Sequence, residues 1–74
     1  MTLTNNILKM KWFTSVEQQM AWTEKHFPGC YTDDNEICDP TRDEDQTVAV
    51  INSVGTLGVH VTPRNSDEDF VYLF

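Results

Sequence analysis

The sequence predicts a small α+β fold, in which one main α-helix packs on one face of a small antiparallel β-sheet. Three observations predict this fold: a capped helical segment early in the chain, three apolar runs late in it, and short turns between those runs. A chain of 74 residues provides for one small domain and leaves no room for a second. We therefore expect residues 1–74 to form a single domain.

The helix is expected to begin at Thr14, because Thr14 and Glu17 have the spacing of a capping box. Good helix formers follow, and Pro28 with Gly29 ends the segment. Trp22 falls off the apolar stripe, which places it at the edge of the core or in solvent. At 3.6 residues per turn, the stripe comprises Phe13, Val16, Met20, Thr23 and Phe27.

Strand patterns occur before the helix and after it. Residues 7–13 alternate apolar and charged side chains, which is typical of a half-exposed strand. A further strand is expected through Ile37, within an otherwise acidic loop. The runs at 47–51, 59–62 and 70–74 are rich in β-branched and aromatic residues. Because the connections between these three runs are short, they should form an antiparallel meander.

The charge of the chain is strongly negative and unevenly distributed. The chain has twelve acidic and five basic residues, which gives a net charge of −7 and a pI near 4.4. Residues 30–74 carry ten of the acids but only Arg42 and Arg64 as cations. This balance argues against direct binding of nucleic acid, which needs Lys and Arg to displace counterions. Two interpretations remain open: acidity that maintains solubility, and a surface that meets a basic partner.

The sequence gives no indication of a membrane role. No apolar run approaches the roughly 18 to 20 residues that span a bilayer. Lys9 and Lys11 follow the first apolar residues instead of preceding them, unlike a signal peptide. We therefore expect a cytoplasmic protein.

Catalytic and metal-binding motifs are not found in the sequence. There is no Gly-rich phosphate loop, no HExxH and no GxSxG. Cys30 and Cys38 are separated by seven residues, unlike the cysteine pairs of zinc sites, although His26 and His60 make a Cys2His2 set arithmetically possible. A disulfide also stays open, but a cytoplasmic location favours free thiols. We expect neither enzymatic activity nor a cofactor or metal.

Seven acids make up the predicted acidic surface. Carboxylates spaced along a strand or loop can imitate the ladder of phosphate charges on DNA and occupy a groove that evolved to bind DNA. The same side chains could instead only solvate a mobile loop. The seven are Asp33, Asp34, Glu36, Asp39, Asp43, Glu44 and Asp45.

Residues 43–53 and 58–74 resemble the C-terminal half of the phage uracil-DNA glycosylase inhibitors. That family has an acidic turn, an apolar strand ending in a small polar pair, and a final hairpin with an acidic turn. Asn5-Asn6-Ile7-Leu8 corresponds to the family's Glu-Ser-Ile-Leu strand. The chain departs from the family in three ways: Asn5 replaces a glutamate, the leading helix is missing, and the connector at 54–57 is shorter.

The resemblance implies a DNA-mimic protein that inhibits host uracil-DNA glycosylase, and thus base excision repair, in a 1:1 complex in the host cytoplasm. The edge that enters the enzyme's basic DNA groove would comprise Asn5, Asn6 and Ile7. An apolar pocket would enclose the leucine that the enzyme normally inserts into DNA. This pocket would be formed by Val16 and Met20 from the helix and by Ala49, Ile51 and Val61 from the sheet.

Other functions fit the same sequence features. An acidic binding surface would also suit a phage counter-defence protein, such as an anti-CRISPR or anti-restriction factor, or a toxin-neutralising immunity protein. A structural or adaptor domain, in which acidity only maintains solubility, is the third class. Inhibition of the glycosylase on uracil-containing DNA separates the first function from the others.

Overall fold

The computed structural model describes residues 12–74, which form one helix and a five-stranded antiparallel sheet. The predicted α+β fold is confirmed. The predicted strand at 7–13 lies outside the described residues except for Trp12 and Phe13, which are not in a strand. The elements are α1 (Val16–His26), β1 (Tyr31–Asp33), β2 (Glu36–Cys38), β3 (Thr47–Val54), β4 (Gly58–Pro63) and β5 (Phe70–Leu73).

Helix α1 is capped one residue later than predicted. Ser15 is the N-cap, and its Oγ accepts a hydrogen bond from the Gln18 backbone N–H at 3.1 Å. The Gln18 side chain reaches back, so that its Oε1 accepts from the backbone N–H and the hydroxyl of Thr14 at 2.9 and 2.8 Å. At the other end, the Phe27 N–H donates to the Thr23 carbonyl, and Gly29 follows at a φ of +84°. The N-cap is therefore Ser15 instead of Thr14, and Gln18 instead of Glu17 supplies the side chain that returns to the start of the helix, where it binds Thr14.

The buried face of α1 differs from the predicted stripe. Trp22 is only 3% exposed, whereas Val16 and Met20 are 65% and 66% exposed. The polar neighbours of Trp22 on this face are satisfied by hydrogen bonds: Gln19 Nε2 donates to Thr32 Oγ1 at 2.6 Å, and Thr23 Oγ1 donates to the Gln19 carbonyl at 2.8 Å. One large aromatic side chain thus anchors the helix, and the face bearing Val16 and Met20 is turned away from the core.

The five strands follow one another in space in chain order, β1-β2-β3-β4-β5, and each pairs antiparallel with its neighbour. The predicted meander of the last three strands is confirmed, and so is the strand through Ile37. β1 and β2 are joined by a two-residue turn in which Asp34 has a φ of +59°. The register shifts in β3 near Val48 and at Asn52, where the pairing with β2 and with β4 is irregular.

The core lies between α1 and the inner face of the sheet, which is the face that α1 covers. Trp22 is its aromatic centre, with ring centroids of Phe13, Phe27 and Tyr72 at 5.7, 5.8 and 6.3 Å. Tyr72 and His26 also connect the end of the helix to β5, where His26 Nε2 lies 2.6 Å from the Leu73 carbonyl oxygen. The buried residues that pack together in this core are Trp22, Ile37, Ala49, Ile51, Val54, Val59 and Val61.

The described part of the chain contains no helix with the length and apolar character needed to cross a bilayer.

Candidate protein-binding surface

The outer face of the sheet, opposite α1, carries a row of side chains that crosses β1 to β4 and ends at the residue before β5. Asp33 on β1 lies opposite Glu36 on β2, Glu36 lies opposite Val50, and Val50 lies opposite Thr62. The row continues to Asp69, just before β5, because Thr62 Oγ1 donates to Asp69 Oδ1 at 2.6 Å. Neighbouring strands are about 4.8 Å apart, so the row brings carboxylates to both edges of one face about 19 Å across.

Asp33 and Glu36 form a like-charge pair directly across two strands. Both residues are exposed, and such a pair opposes folding instead of stabilising it. Thr47 Oγ1 donates to Glu36 Oε1 at 2.7 Å, which orients one of the two carboxylates without neutralising it. Within residues 12–74, no ion pair balances either of these two carboxylates.

A second group of acids gathers at the end of the sheet where β2 ends and β3 begins. The loop at 39–46 and the turn at 64–69 meet there, since the Arg64 N–H donates to the Val48 carbonyl at 2.8 Å. The Arg64 guanidinium donates to the Asp45 and Thr47 carbonyls at 2.9 and 3.3 Å and forms an ion pair with the Asp45 carboxylate. We call this group the acidic end: Asp39, Asp43, Glu44, Asp45, Asp67, Glu68 and Asp69.

Residues 67–69 also contribute to this surface, which the sequence alone does not predict. They are far from the loop at 39–46 in sequence, and only the strand pairing brings the two segments to one end of the sheet. The predicted meander could have indicated it, because the connections of successive antiparallel strands alternate between the two ends of a sheet. The β2–β3 and β4–β5 connections therefore lie at the same end. All seven predicted acids lie at the surface; Asp39 is partly buried and the other six are exposed.

The Asp39 carboxylate is held by two hydrogen bonds from one neighbouring residue. Its Oδ1 accepts from the Thr41 hydroxyl at 2.7 Å and from the Thr41 N–H at 2.9 Å. These hydrogen bonds hold the pKa of Asp39 below its usual value, and the bond from the Thr41 hydroxyl has the largest effect. The positive charge of Arg42 lowers the pKa further. The Asp39 carboxylate therefore stays charged to a lower pH than an aspartate without these hydrogen bonds.

Few cations compensate the acids of the described residues. All twelve acidic side chains lie in this part of the chain, together with Lys25, Arg42 and Arg64. Within residues 12–74, Arg64 and Asp45 form the one salt bridge, and Lys25 Nζ donates to the Phe74 carbonyl at 3.1 Å. The outer face and the acidic end consequently present a largely unneutralised negative surface.

A groove of about 660 Å³ separates α1 from β1. It lies next to the β1–β2 hairpin, which we call the acidic hairpin because it carries Asp33, Asp34 and Glu36. Its apolar lining comes from Trp12, Val16 and Met20 on the helical side and from Tyr31 on β1. Asp34, in the β1–β2 turn, contributes a carboxylate to the rim. The groove therefore combines exposed apolar surface with adjacent negative charge.

The structure does not bring together the five residues predicted to form one apolar pocket. Val16 and Met20 line the groove, whereas Ala49, Ile51 and Val61 are no more than 1% exposed and pack in the core beneath α1. The reason is the rotation of the helix, in which Trp22 takes the position over the sheet expected for Met20. The predicted partner-binding edge, Asn5, Asn6 and Ile7, lies outside the described residues.

The two cysteines are free thiols in different environments. Cys30 lines the groove and is partly buried, while Cys38 is buried. Burial is the main cause that raises the pKa of the Cys30 thiol, and the negative charge of Asp39 is the next. A raised pKa lowers the thiolate fraction, which disfavours a nucleophilic role for Cys30.

Comparison of the chain with protein-family models, curated proteins and solved structures found no match. The resemblance to the glycosylase inhibitors therefore stays a prediction that depends on the residues quoted for it. The surface itself, with its negative face and adjacent apolar groove, provides the physical basis for a functional proposal.

Proposed function

We propose that this protein is a DNA mimic that inhibits a DNA-binding enzyme by occupying its basic groove, with uracil-DNA glycosylase as its target. The observation that carries the proposal is the set of carboxylates at both ends of the outer face, with Asp33 and Glu36 at the β1 edge and Asp69 beside β5. Asp33 and Glu36 oppose each other at a cost to stability, and no cation neutralises them in the described residues. A charge arrangement that opposes folding is readily explained if binding a basic partner selects it.

The negative surface would act mainly on the rate of association. Opposite charges attract two proteins over a Debye length of about 8 Å at physiological ionic strength. Such steering raises the association rate far more than it slows dissociation. The outer face and the acidic end would therefore guide the protein into a groove lined by Lys and Arg.

The groove between α1 and β1 would hold the complex together. Val16 and Met20 remain exposed on a helix whose other face is fixed by Trp22. Met is flexible and polarisable, which suits a surface that encloses an inserted apolar side chain. We place the pocket for such a side chain in this groove, among Trp12, Met20 and Tyr31, instead of between the helix and the sheet.

The decisive experiment measures uracil excision from a labelled DNA duplex by uracil-DNA glycosylase in the presence of increasing amounts of the purified protein. We expect inhibition that is complete at one protein per enzyme. Excess undamaged duplex added before the protein should delay inhibition, because it competes for the same groove. Full excision at every protein concentration would exclude the glycosylase as the target.

Two variants separate the charge effect from the apolar contact. The quadruple change Asp33→Asn, Asp34→Asn, Glu36→Gln and Asp39→Asn should slow association severalfold and leave dissociation nearly unchanged. Met20→Ala should do the reverse, and its exposure means that folding is preserved. Stopped-flow association at two salt concentrations measures both effects. An association rate that is indifferent to salt and to the four substitutions would contradict DNA mimicry.

A further inference from the structure

The edge of the sheet formed by β5 is strongly apolar. Val71 and Leu73, on its outer face, are 51% and 60% exposed, and Phe70 and Phe74 are also exposed. No charged residue occurs from Phe70 to Phe74. An exposed apolar edge strand is a template for pairing with another strand, and proteins usually protect such edges with charge or proline. Here the protection is missing along the strand itself.

The hydrogen-bonding pattern shows which groups of β5 point outwards. Phe74 lies opposite Leu57 in the register of β4 and β5, and its N–H donates to the Leu57 carbonyl at 3.2 Å. Hydrogen-bonded and non-hydrogen-bonded pairs alternate along an antiparallel ladder. Phe70, Tyr72 and Phe74 therefore bond to β4, whereas Val71 and Leu73 direct their N–H and C=O groups away from it.

His26 already satisfies one of these outward groups. Its Nε2 lies 2.6 Å from the Leu73 carbonyl oxygen. The N–H and C=O of Val71 and the N–H of Leu73 have no partner on β4. Within residues 12–74, the backbone groups of β5 that β4 leaves without a partner are thus centred on Val71, in the middle of the strand.

We propose that β5 pairs antiparallel with β5 of a second copy of this chain, about a two-fold axis through Val71. Val71 of each copy would exchange two hydrogen bonds with Val71 of the other. In this register, Phe70 lies opposite Tyr72 of the second copy on the inner face, giving two aromatic cross-strand pairs. These two bonds join the two sheets edge to edge at Val71, since His26 keeps the Leu73 carbonyl, and the same patch is used on both copies, as a two-fold interface requires.

Charge complementarity selects a second copy as the occupant of this edge. Lys25 Nζ lies 3.1 Å from the Phe74 carbonyl, at the C-terminal end of β5. Glu68 and Asp69 precede the strand, at its other end. Antiparallel pairing about Val71 places Phe74 of one copy opposite Glu68 of the other. Lys25 of each copy then faces an acidic residue of the other copy, twice in one interface.

The opposite edge of the sheet is unsuited to the same pairing. β1 has three residues and ends in Asp33, followed by Asp34. A symmetric contact there would bring the carboxylates of two copies together, which is unfavourable. Self-association is therefore specific to β5, and it leaves the acidic hairpin of each copy at an outer end of the joined sheet.

Sedimentation velocity of the full chain over a wide concentration range tests this proposal. We expect a reversible monomer–dimer equilibrium. Val71→Pro should abolish the dimer, because proline removes an N–H that points away from β4 and leaves the protein's own ladder intact. Val71→Thr, which retains the N–H and the β-branched shape, is the matched control and should still dimerise. Circular dichroism verifies that both variants fold.

A charge exchange provides a second test that does not depend on proline. Lys25→Glu should shift the equilibrium towards monomer, and the double variant Lys25→Glu/Glu68→Lys should restore the dimer. A monomer at every concentration would overturn the proposal. This is also the result expected if another segment of the same chain covers β5. A dimer that persists in Val71→Pro, or charge variants that show no rescue, would overturn it as well. Glycosylase inhibition by a strictly monomeric protein would leave the proposed function intact.

Discussion

Trp22 fixes the orientation of the helix through its ring and its indole N–H. The ring packs among Phe13, Phe27 and Tyr72, and Nε1 lies 3.4 Å from the Tyr72 carbonyl oxygen. Periodicity favoured Met20 for the core because it weighs residues by hydropathy and spacing alone. Spacing and hydropathy do not show that hydrogen bonds satisfy Gln19 and Thr23. Those bonds allow the face that bears Trp22 to be the buried one.

Trp22→Ala and Met20→Ala should therefore have very different effects on stability. Removing the buried indole should lower the free energy of unfolding by about 3–5 kcal/mol. Met20→Ala, on the exposed face, should change it by no more than about 0.5 kcal/mol. Urea denaturation followed by circular dichroism measures both. Equal losses in the two variants would contradict the observed rotation of α1.

The two hydrogen bonds from Thr41 predict the acid behaviour of Asp39. Thr41→Val removes the hydroxyl donor, and the pKa of Asp39 should rise towards its ordinary value, while Thr41→Ser should preserve the lowered pKa. NMR titration of the Asp39 carboxyl group measures this change.

Linkage gives the matching effect on stability. The contribution of Asp39 is fully present above its pKa in the unfolded chain and is lost as the pH falls through its lowered pKa in the folded state. Thr41→Val should therefore show a weaker acid dependence of stability in this range than Thr41→Ser. An unchanged pKa in Thr41→Val would mean that the hydroxyl is not the cause of the shift.

At the scale of elements, the cap of α1 shows how local signals specify a helix with an uncertainty of one residue. Two adjacent hydroxyl residues, Thr14 and Ser15, precede the helix, and each has a suitable residue three positions later. Ser15 is the N-cap, because Gln18 then bonds both residues: its N–H donates to the Ser15 hydroxyl and its Oε1 accepts from Thr14. Such a choice depends on side-chain geometry that the spacing alone does not specify.

Ser15→Ala should cost about 1 kcal/mol of stability, because it leaves the Gln18 N–H without its side-chain acceptor. Thr14→Ala should cost less, since the Thr14 backbone N–H retains its bond to Gln18. Thermal unfolding of the two variants beside the parent protein measures the difference. A larger loss in Thr14→Ala would place the cap where the sequence first indicated it.

The strands were predictable where side chains repeat, and less so where the ladder is irregular. The runs at 47–51, 59–62 and 70–74 were identified because β-branched and aromatic residues dominate them. The extension of β3 to Val54 was missed, since the irregularity at Asn52 interrupts the alternation. The row from Asp33 to Asp69 requires the register of all five strands, so exposure of the acids could be predicted but not their alignment.

At the scale of the whole molecule, negative charge opposes folding. The net charge is −7, and the acids crowd one face and one end of a small sheet. The repulsion acts over about 30 Å at 0.01 M salt but only about 8 Å at physiological ionic strength. Stability should therefore increase with salt, unlike that of a protein held together by surface ion pairs.

Thermal unfolding at increasing NaCl concentration should show a rising Tm. Asp33→Asn should raise the Tm at low salt and reduce its salt dependence, because it removes the charge opposite Glu36. Glu17→Gln makes the same change in net charge but removes an acid from the first turn of α1, where it is favourable, and should lower the Tm. A Tm that falls with salt would show that ion pairing, not repulsion, dominates.

The chain order of the strands has a consequence for folding kinetics. Every strand pairs with its neighbour in sequence, so the sheet can grow hairpin by hairpin with short loops. Docking of the helix instead joins Trp22 to Tyr72, which are 50 residues apart, and depends on β5 being in place. In a Trp12→Phe variant, Trp22 is the only tryptophan, so a change in tryptophan fluorescence should report this late docking step. Strand formation, measured by circular dichroism, should then precede the change in fluorescence during refolding.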